Sequence, residues 1–236
     1  MTTKGKIYLI PTILAPDTED KVLPPFIKEV LKNTTLYFVE NIKTARRFIS
    51  SLKLGIVIDS LTFIILDKKT KTEEIRPHLK AIIEGKNAGI ISEAGCPGIA
   101  DPGANLVDLA HQVDIQVVPL VGPSSILMAL MASGLNGQNF AFNGYLPIQS
   151  SERIKKLKYL EKLSHTSGQT QIFMETPYRN NPLLKDILNN CEGESKLCIA
   201  ADISSENELI LTKKIKEWRK KVPDIHKKPA IFLLQA

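Results

Sequence analysis

Two carboxylates, Glu93 and Asp101, bracket a loop poor in bulky side chains: Glu93-Ala94-Gly95-Cys96-Pro97-Gly98-Ile99-Ala100-Asp101-Pro102-Gly103. Glycine lets the main chain approach a ligand and adopt positive φ, while proline stiffens the path between such points. A carboxylate held on a rigid loop is also a common proton acceptor. The segment admits two readings, a tight connection between elements or a ligand loop. A Gly-Pro loop alone would favour the first; its length, well beyond the roughly 2–6 residues of an ordinary connection, and its two acids bring the second level with it.

The elements around the loop give it a place. Ala88 to Ser92 is an apolar run suited to a buried strand, and Ala104 to Val113 has a helical pattern. In open α/β sheets ligands sit where loops leave the carboxyl ends of strands. The same rhythm runs through the first half. Strands are expected at Lys6–Ile10, Leu36–Val39, Thr62–Leu66 and Ile115–Val118. Helices are expected from about Leu23 to Lys32, after Asn41 with Ala45, Phe48, Ile49 and Leu52 inward, and from Lys71 to Glu84. Alternation of this kind implies right-handed crossovers and a mainly parallel sheet. A second Gly-Pro turn, Val121-Gly122-Pro123-Ser124-Ser125, precedes an apolar helix from Ile126 to Ala132 capped by Ser124 or Ser125, and the domain boundary is placed near Pro119, giving domains 1–119 and 120–236. Helix capping alone accounts for that turn, although small residues at a helix N-terminus also suit a polar ligand edge. In the second half, strands at Phe140–Tyr145, Thr170–Met174, Lys196–Ala201, Asn207–Thr212 and Ala230–Leu234 alternate less regularly with helices at Ser151–Leu163 and Leu183–Asn190. Adjacent strands there imply antiparallel pairs.

The composition narrows the classes. With 236 residues and 43% hydrophobic content, the chain can bury one large or two modest cores. No apolar run approaches the ~20 residues that span a bilayer, and the opening segment is too short before Pro11 for a signal peptide, so a cytoplasmic protein is expected. Cys96, Cys191 and Cys198 are scattered, as are the four histidines, with neither a disulfide framework nor metal-ligand spacing. Between Lys213 and Lys228 stand eight Lys/Arg against Glu217 and Asp224, a surplus equal to the net charge of +6. That stretch reads either as a footprint for a phosphate backbone or as a solvated face. A GxGxxG after the first strand, a P-loop and a GxSxG elbow are all missing, which excludes the commonest nucleotide-binding and hydrolase patterns.

Taken together, the motifs resemble one family. The loop Glu93–Gly103 is similar to the DAGTPGISDPG loop of the tetrapyrrole-methylase-like methyltransferases, most of all to the branch that methylates a cytidine 2′-hydroxyl in small-subunit ribosomal RNA. Val121–Ser125 with Ala132-Ser133-Gly134-Leu135 resembles PGPSA…ASGL, Phe140–Pro147 resembles FxFxGFLP, and Glu175-Thr176-Pro177-Tyr178-Arg179 resembles ESPHR. Leu9–Thr12 resembles the start of LVPTPIGNL, and Val39–Arg47 resembles AEDTRxTRK. The matches are collinear over nearly the whole chain.

The resemblance implies two α/β domains, the first with a mainly parallel and the second with a mixed sheet, with S-adenosylmethionine in the cleft between them, and a homodimer. It places the cofactor against Ile10, Gly95, Cys96, Ile99, Ser124, Ser125, Met174, Ala200, Pro229 and Ala230, mostly through main chain. It implies ribosomal RNA or the small ribosomal subunit as partner, while the absence of a spanning run and of ligand spacing noted above leads us to expect no membrane and no metal. A hydroxyl nucleophile needs a proton acceptor, for which Glu40 and Glu93 are the candidates, and Arg46 with Arg47 would bind substrate phosphate. Helix-terminal pairing of Glu40 and a surface ion pair at Arg46 are the simpler alternatives. The chain departs from the family pattern at Ile13–Pro16, at Glu40-Asn41-Ile42-Lys43, at Glu93 and Cys96, and at Ala201–Glu206. Those departures leave open a relative acting on a tetrapyrrole or other small substrate, or a cofactor- or RNA-binding module without transferase activity.

Overall fold

The structure, a computed structural model, describes residues 3–236. The chain divides into two compact units, one ending at Ser124 and the other beginning at Ser125. The division falls beyond Pro119 because the Gly122–Ser124 turn stays with the first unit: the Cys96 thiol lies 3.3 Å from the Pro123 carbonyl.

The first unit is a five-stranded parallel sheet built from β1 (Lys6–Ile10), β2 (Leu36–Val39), β3 (Thr62–Ile65), β4 (Ala88–Ile91) and β5 (Gln116–Pro119), in the order β3-β2-β4-β1-β5. Every residue of β2 and β4 is buried, whereas the edge strands β3 and β5 are buried at no position. That contrast explains why β2 and β4 read as unbroken apolar runs: both of their faces are covered. Two cores cover them. One gathers α4 (Thr72–Ile83) and α5 (Ala104–Gln112) through Ile75, Leu79, Ile82, Leu106 and Leu109. The other gathers α2 (Pro25–Lys32) and α3 (Ile42–Ser51) through Ile27, Leu31, Ala45 and Ile49, with the short α1 (Glu19–Val22) just upstream. Helix α2 starts at Pro25 and not at Leu23, because a residue that precedes proline is pushed out of the helical region, and Leu23 and Pro24 are both extended. In register, Ile10 and Val39 both lie opposite Ile91, so the carboxyl ends of β1, β2 and β4 finish level.

The second unit holds α6 (Ser125–Ser133), β6 (Phe140–Tyr145), α7 (Ser150–Ser167), β7 (Thr170–Met174), α8 (Asn180–Asn190), β8 (Lys196–Ala201), β9 (Leu209–Lys214), the short α9 (Ile215–Trp218) and β10 (Ala230–Gln235). Its sheet runs β6-β7-β10-β8-β9, with β6 parallel to β7 and every other pair antiparallel. The last strand is therefore central, and Phe232 on β10 stacks on Phe173 of β7 at 6.0 Å. Strand β9 starts later than expected and takes in Lys213 and Lys214, which pair with Leu197 and Lys196 of β8. Helix α7 runs past Leu163 until Gly168 takes a left-handed conformation and returns its amide to the Ser164 carbonyl at 2.8 Å. Leu157 and Leu160 face inward as expected, but Ile154 is half-exposed, and the buried face of α7 also carries Arg153 and Glu161. Both charges are satisfied. Arg153 reaches Asp186 through Nε at 2.8 Å and Nη2 at 2.5 Å, and Glu161 accepts from the Ser195 hydroxyl at 2.6 Å and the Glu192 amide at 2.8 Å.

Candidate functional site

At the carboxyl end of the first sheet, three loops close on one another through main-chain and short side-chain contacts. The Thr12 amide donates to the Gly95 carbonyl at 2.9 Å, forming an isolated antiparallel bridge between the loops after β1 and β4. The Ser92 hydroxyl donates to the same carbonyl at 2.8 Å, and the Thr12 hydroxyl reaches the Ser92 carbonyl at 3.3 Å. Gly95 itself has φ +75, and a Cβ there would sit 3.3 Å from both Leu14 Cδ2 and the Pro123 carbonyl oxygen. Gly122, in the loop after β5, has no room for a Cβ because the ring of Pro11 occupies that space. The result is a tightly closed rim lined by glycine, proline and small polar residues.

The structure brings Ile10, Gly95, Cys96 and Ser124 to this end of the unit. The Ile10 side chain is wholly buried in the core behind the rim, so only its main chain can face a ligand. Cys96 is fixed by its contact with the Pro123 carbonyl, and partial burial pushes its thiol pKa up. Ile99, farther round the loop, is exposed.

The acids gather at the same end. Glu40, directly after β2, lines a small cavity with Ser92, Asp101 and Pro102. Burial and the neighbouring charges of Glu40 and Glu93, against the opposing charge of Lys68, push the Asp101 carboxyl up to about 6. Glu93 is held from α3, where the Thr44 hydroxyl donates to its Oε1 at 2.6 Å. The start of α3 is fixed in turn by Asn41, whose side chain caps the Lys43 and Thr44 amides. Arg46 is paired with Asp59 on the turn before β3, in an exposed ion pair. The surroundings of Asp101 thus disfavour its charged form. Its position in the loop was visible in the sequence, but its depression into the cavity beside Glu40 was not.

In the second unit, the remaining cofactor candidates fall at one end of the sheet. Ile231 on β10 lies opposite Met174 on one side and Ala200 on the other, Ala230 lies opposite Ala201, and the Pro229 carbonyl accepts from the Asp202 amide at 2.9 Å. Ser125 begins α6. Directly after Met174 comes Glu175, whose buried carboxylate holds Arg179 at 2.6 Å and the Thr176 amide at 2.7 Å.

Several cations of the basic stretch have partners of their own. Lys214 and Lys216 both pair with Glu194, Arg219 donates to the Leu188 and Cys191 carbonyls, and Lys228 pairs with Asp202. Lys213 lies over Trp218, and Lys227 over Tyr178.

Over residues 13–218 the sequence matches the family of tetrapyrrole (corrin/porphyrin) methylases. It is 30% identical to a Vibrio cholerae protein named ribosomal RNA small subunit methyltransferase I, across 86% of this chain and 67% of that one. A Thermotoga maritima protein of the same name is 32% identical across 90% of each chain. The fold is similar to the crystal structure of the methyltransferase CobJ, with a TM-score of 0.62 and 18% identity over 98% of this chain and 94% of that one. It is also similar to uroporphyrin-III C-methyl transferase from Thermus thermophilus, solved in complex with S-adenyl homocysteine, with a TM-score of 0.56 and 16% identity over 98% and 97%.

Proposed function

The chain belongs to the tetrapyrrole (corrin/porphyrin) methylase family, and from that membership we propose that it transfers a methyl group from S-adenosylmethionine to a ribose 2′-hydroxyl of small-subunit ribosomal RNA. The observation that carries this reading is the Glu93–Gly103 loop: its main chain is locked to Thr12 at one point, and its far end sets Asp101 beside Glu40. The residues fit such a donor. A rim of glycine, proline and small polar residues, closed so tightly that Gly122 admits no Cβ, suits a ligand recognised by shape and by amide and carbonyl contacts. The candidates for the donor within the first unit are Ile10, Gly95, Cys96, Ile99 and Ser124; those within the second are Ser125, Met174, Ala200, Pro229 and Ala230.

The sulfonium supplies an already activated methyl group, so the main task of the protein is alignment, which can contribute roughly 7–11 kcal/mol toward the barrier. As the hydroxyl oxygen bonds to the methyl carbon and the sulfur–carbon bond breaks, the hydroxyl proton must leave. The carboxylates Glu40, Glu93 and Asp101 are placed to receive it. A carboxyl near 6 stays ionised at neutral pH yet is a stronger base than an ordinary carboxylate, which favours Asp101 for the role. Arg46 serves substrate phosphate once released from Asp59.

Ribosomal RNA is favoured over a tetrapyrrole because relatives near 30% identity carry the ribosomal name, whereas the structures named for corrin and porphyrin chemistry share only 16–18% and speak to fold alone. Labelled methyl transfer to small ribosomal subunits from cells lacking this protein tests the reading, with free RNA and tetrapyrroles alongside. Label in a ribose of the small-subunit RNA is expected, and label in a tetrapyrrole alone would overturn it. A ribosomal substrate also favours a cytoplasmic location. No helix among the described residues is long and apolar enough to cross a membrane. The homodimer implied by the family is read by light scattering on the purified chain, where a monomeric mass would exclude it.

A further inference from the structure

The segment Glu175–Arg179 has features that donor binding does not use. Tyr178, in the turn Pro177–Arg179 that buries none of its residues, is 68% exposed. His226 meets its ring edge-on at 6.0 Å, and the Lys227 ammonium lies 5.9 Å from its centroid. Lys227 is held there by an unfavourable backbone: it has φ +60, and its amide donates to the Pro177 carbonyl at 3.0 Å. A non-glycine residue in the left-handed region costs free energy, and such strain persists where the surroundings over-determine it, often at ligand clamps. Arg179, next in the chain after Tyr178, is 36% exposed but anchored to Glu175, whose side chain is fully buried. A second exposed tyrosine, Tyr145, lies opposite Met174 in the register of β6 and β7 and within electrostatic reach of Arg179. The acid beside this group, Asp224, is already occupied by the Asn181 side chain at 2.8 Å and the His226 amide at 3.0 Å.

An exposed aromatic ring with one cation against it and a second on the next residue of the chain matches single-stranded nucleic acid better than a protein surface. Bases stack on the ring whatever their sequence, and cations track the backbone. We propose that Tyr178 is the stacking platform for an unpaired base of the RNA substrate, that Lys227 and Arg179 take the adjoining phosphates, and that Glu175 is a positioning residue for Arg179. This rests on the ribosomal RNA reading above and adds the surface that grips the strand. It also relocates the electrostatic footprint: of the Lys213–Lys228 stretch, the Lys227 end meets an aromatic partner suited to a base.

Three measurements on the full chain test it: anisotropy with a fluorescein-labelled single-stranded RNA oligonucleotide, methyl transfer to small ribosomal subunits, and calorimetry with S-adenosylmethionine. Tyr178→Ala is expected to weaken RNA binding about 5- to 100-fold and to raise KM for the subunits, with donor affinity unchanged. Tyr178→Phe keeps the ring and is expected to keep the affinity. Lys227→Ala is expected to lower the slope of log affinity against log salt by about 0.7. Unaltered RNA binding and KM in Tyr178→Ala, in a background where the unchanged protein methylates subunits, overturn this inference and leave the methyltransferase reading standing. Failure of the unchanged protein both to bind RNA and to methylate subunits overturns the ribosomal reading and this inference together.

Discussion

The Cα of Gly122 faces the ring of Pro11 so closely that even a methyl group would overlap its carbon atoms. The contact joins the loops after β1 and β5 and closes the rim on the side opposite the Thr12–Gly95 bridge. Gly122→Ala therefore forces Pro11 or its own loop to move, an overpacking cost of about 1–3 kcal/mol. The variant should melt several degrees lower, at about 2–4 °C per kcal/mol for a chain of this size. It should also lose about tenfold or more in S-adenosylmethionine affinity, the equivalent of about 1.4 kcal/mol. Calorimetry and a thermal melt read both effects, and a variant matching the unchanged protein in each would show that the rim tolerates opening.

Asp101 makes the pH dependence explicit. A base must be ionised to act, so kcat should rise as pH increases through about 6 and level off above it. Asp101→Asn should lose that limb and about 10²–10⁴-fold of kcat. Stability moves the opposite way. The folded-state pKa lies above the unfolded one, so the folded state binds the proton more tightly and loses stability as pH rises from the ordinary carboxylate range through about 6. At pH 7 the Asn variant should thus be more stable by about 1–2 kcal/mol, allowing for the partial exposure of the site, with the gap closing in acid. A pH–rate profile and melts at two pH values decide both points.

Arg153 and Asp186 form a buried pair, 6% and 16% exposed, that also ties down the loop after β6 through the Ile148 carbonyl at 2.8 Å. Removing one partner strands the other charge, so Arg153→Met should lower stability by about 3–5 kcal/mol in urea unfolding. Replacing Asp186 with Leu in the same chain should recover much of that loss. A single variant as stable as the unchanged protein would mean that water reaches Asp186.

Arg46 offers the contrasting case. Its pair with Asp59 is exposed and worth no more than about 1 kcal/mol, so Arg46→Ala should leave the melting curve almost in place. If Arg46 serves substrate phosphate, KM for small ribosomal subunits rises while kcat holds. Unchanged KM would reduce the residue to its ion pair.

Much of this molecule is written locally. The loop from Glu93 to Gly103 announces itself through glycine, proline and acid within one short stretch, and β2 and β4 announce burial on both faces through uninterrupted apolar runs, because these are properties of neighbouring residues. Helix stops follow the same logic, as Gly168 illustrates where sequence periodicity alone ended α7 too soon. Other features depend on residues far apart in the chain. Nothing near Arg153 in sequence declares that a helix position with an apolar rhythm will bury a guanidinium, since its partner Asp186 comes from another helix. The eight cations between Lys213 and Lys228 read as a single footprint until the fold pairs several of them with Glu194, Asp202 and the end of α8. The tuning of Asp101 and the exposure of Tyr178 belong to the same class. Local sequence determines which segments can be strands, helices and rigid loops, because backbone preference acts over a few residues. Which charges are desolvated, paired or left facing solvent is decided only when distant segments pack, because a charge responds to whatever surrounds it in space.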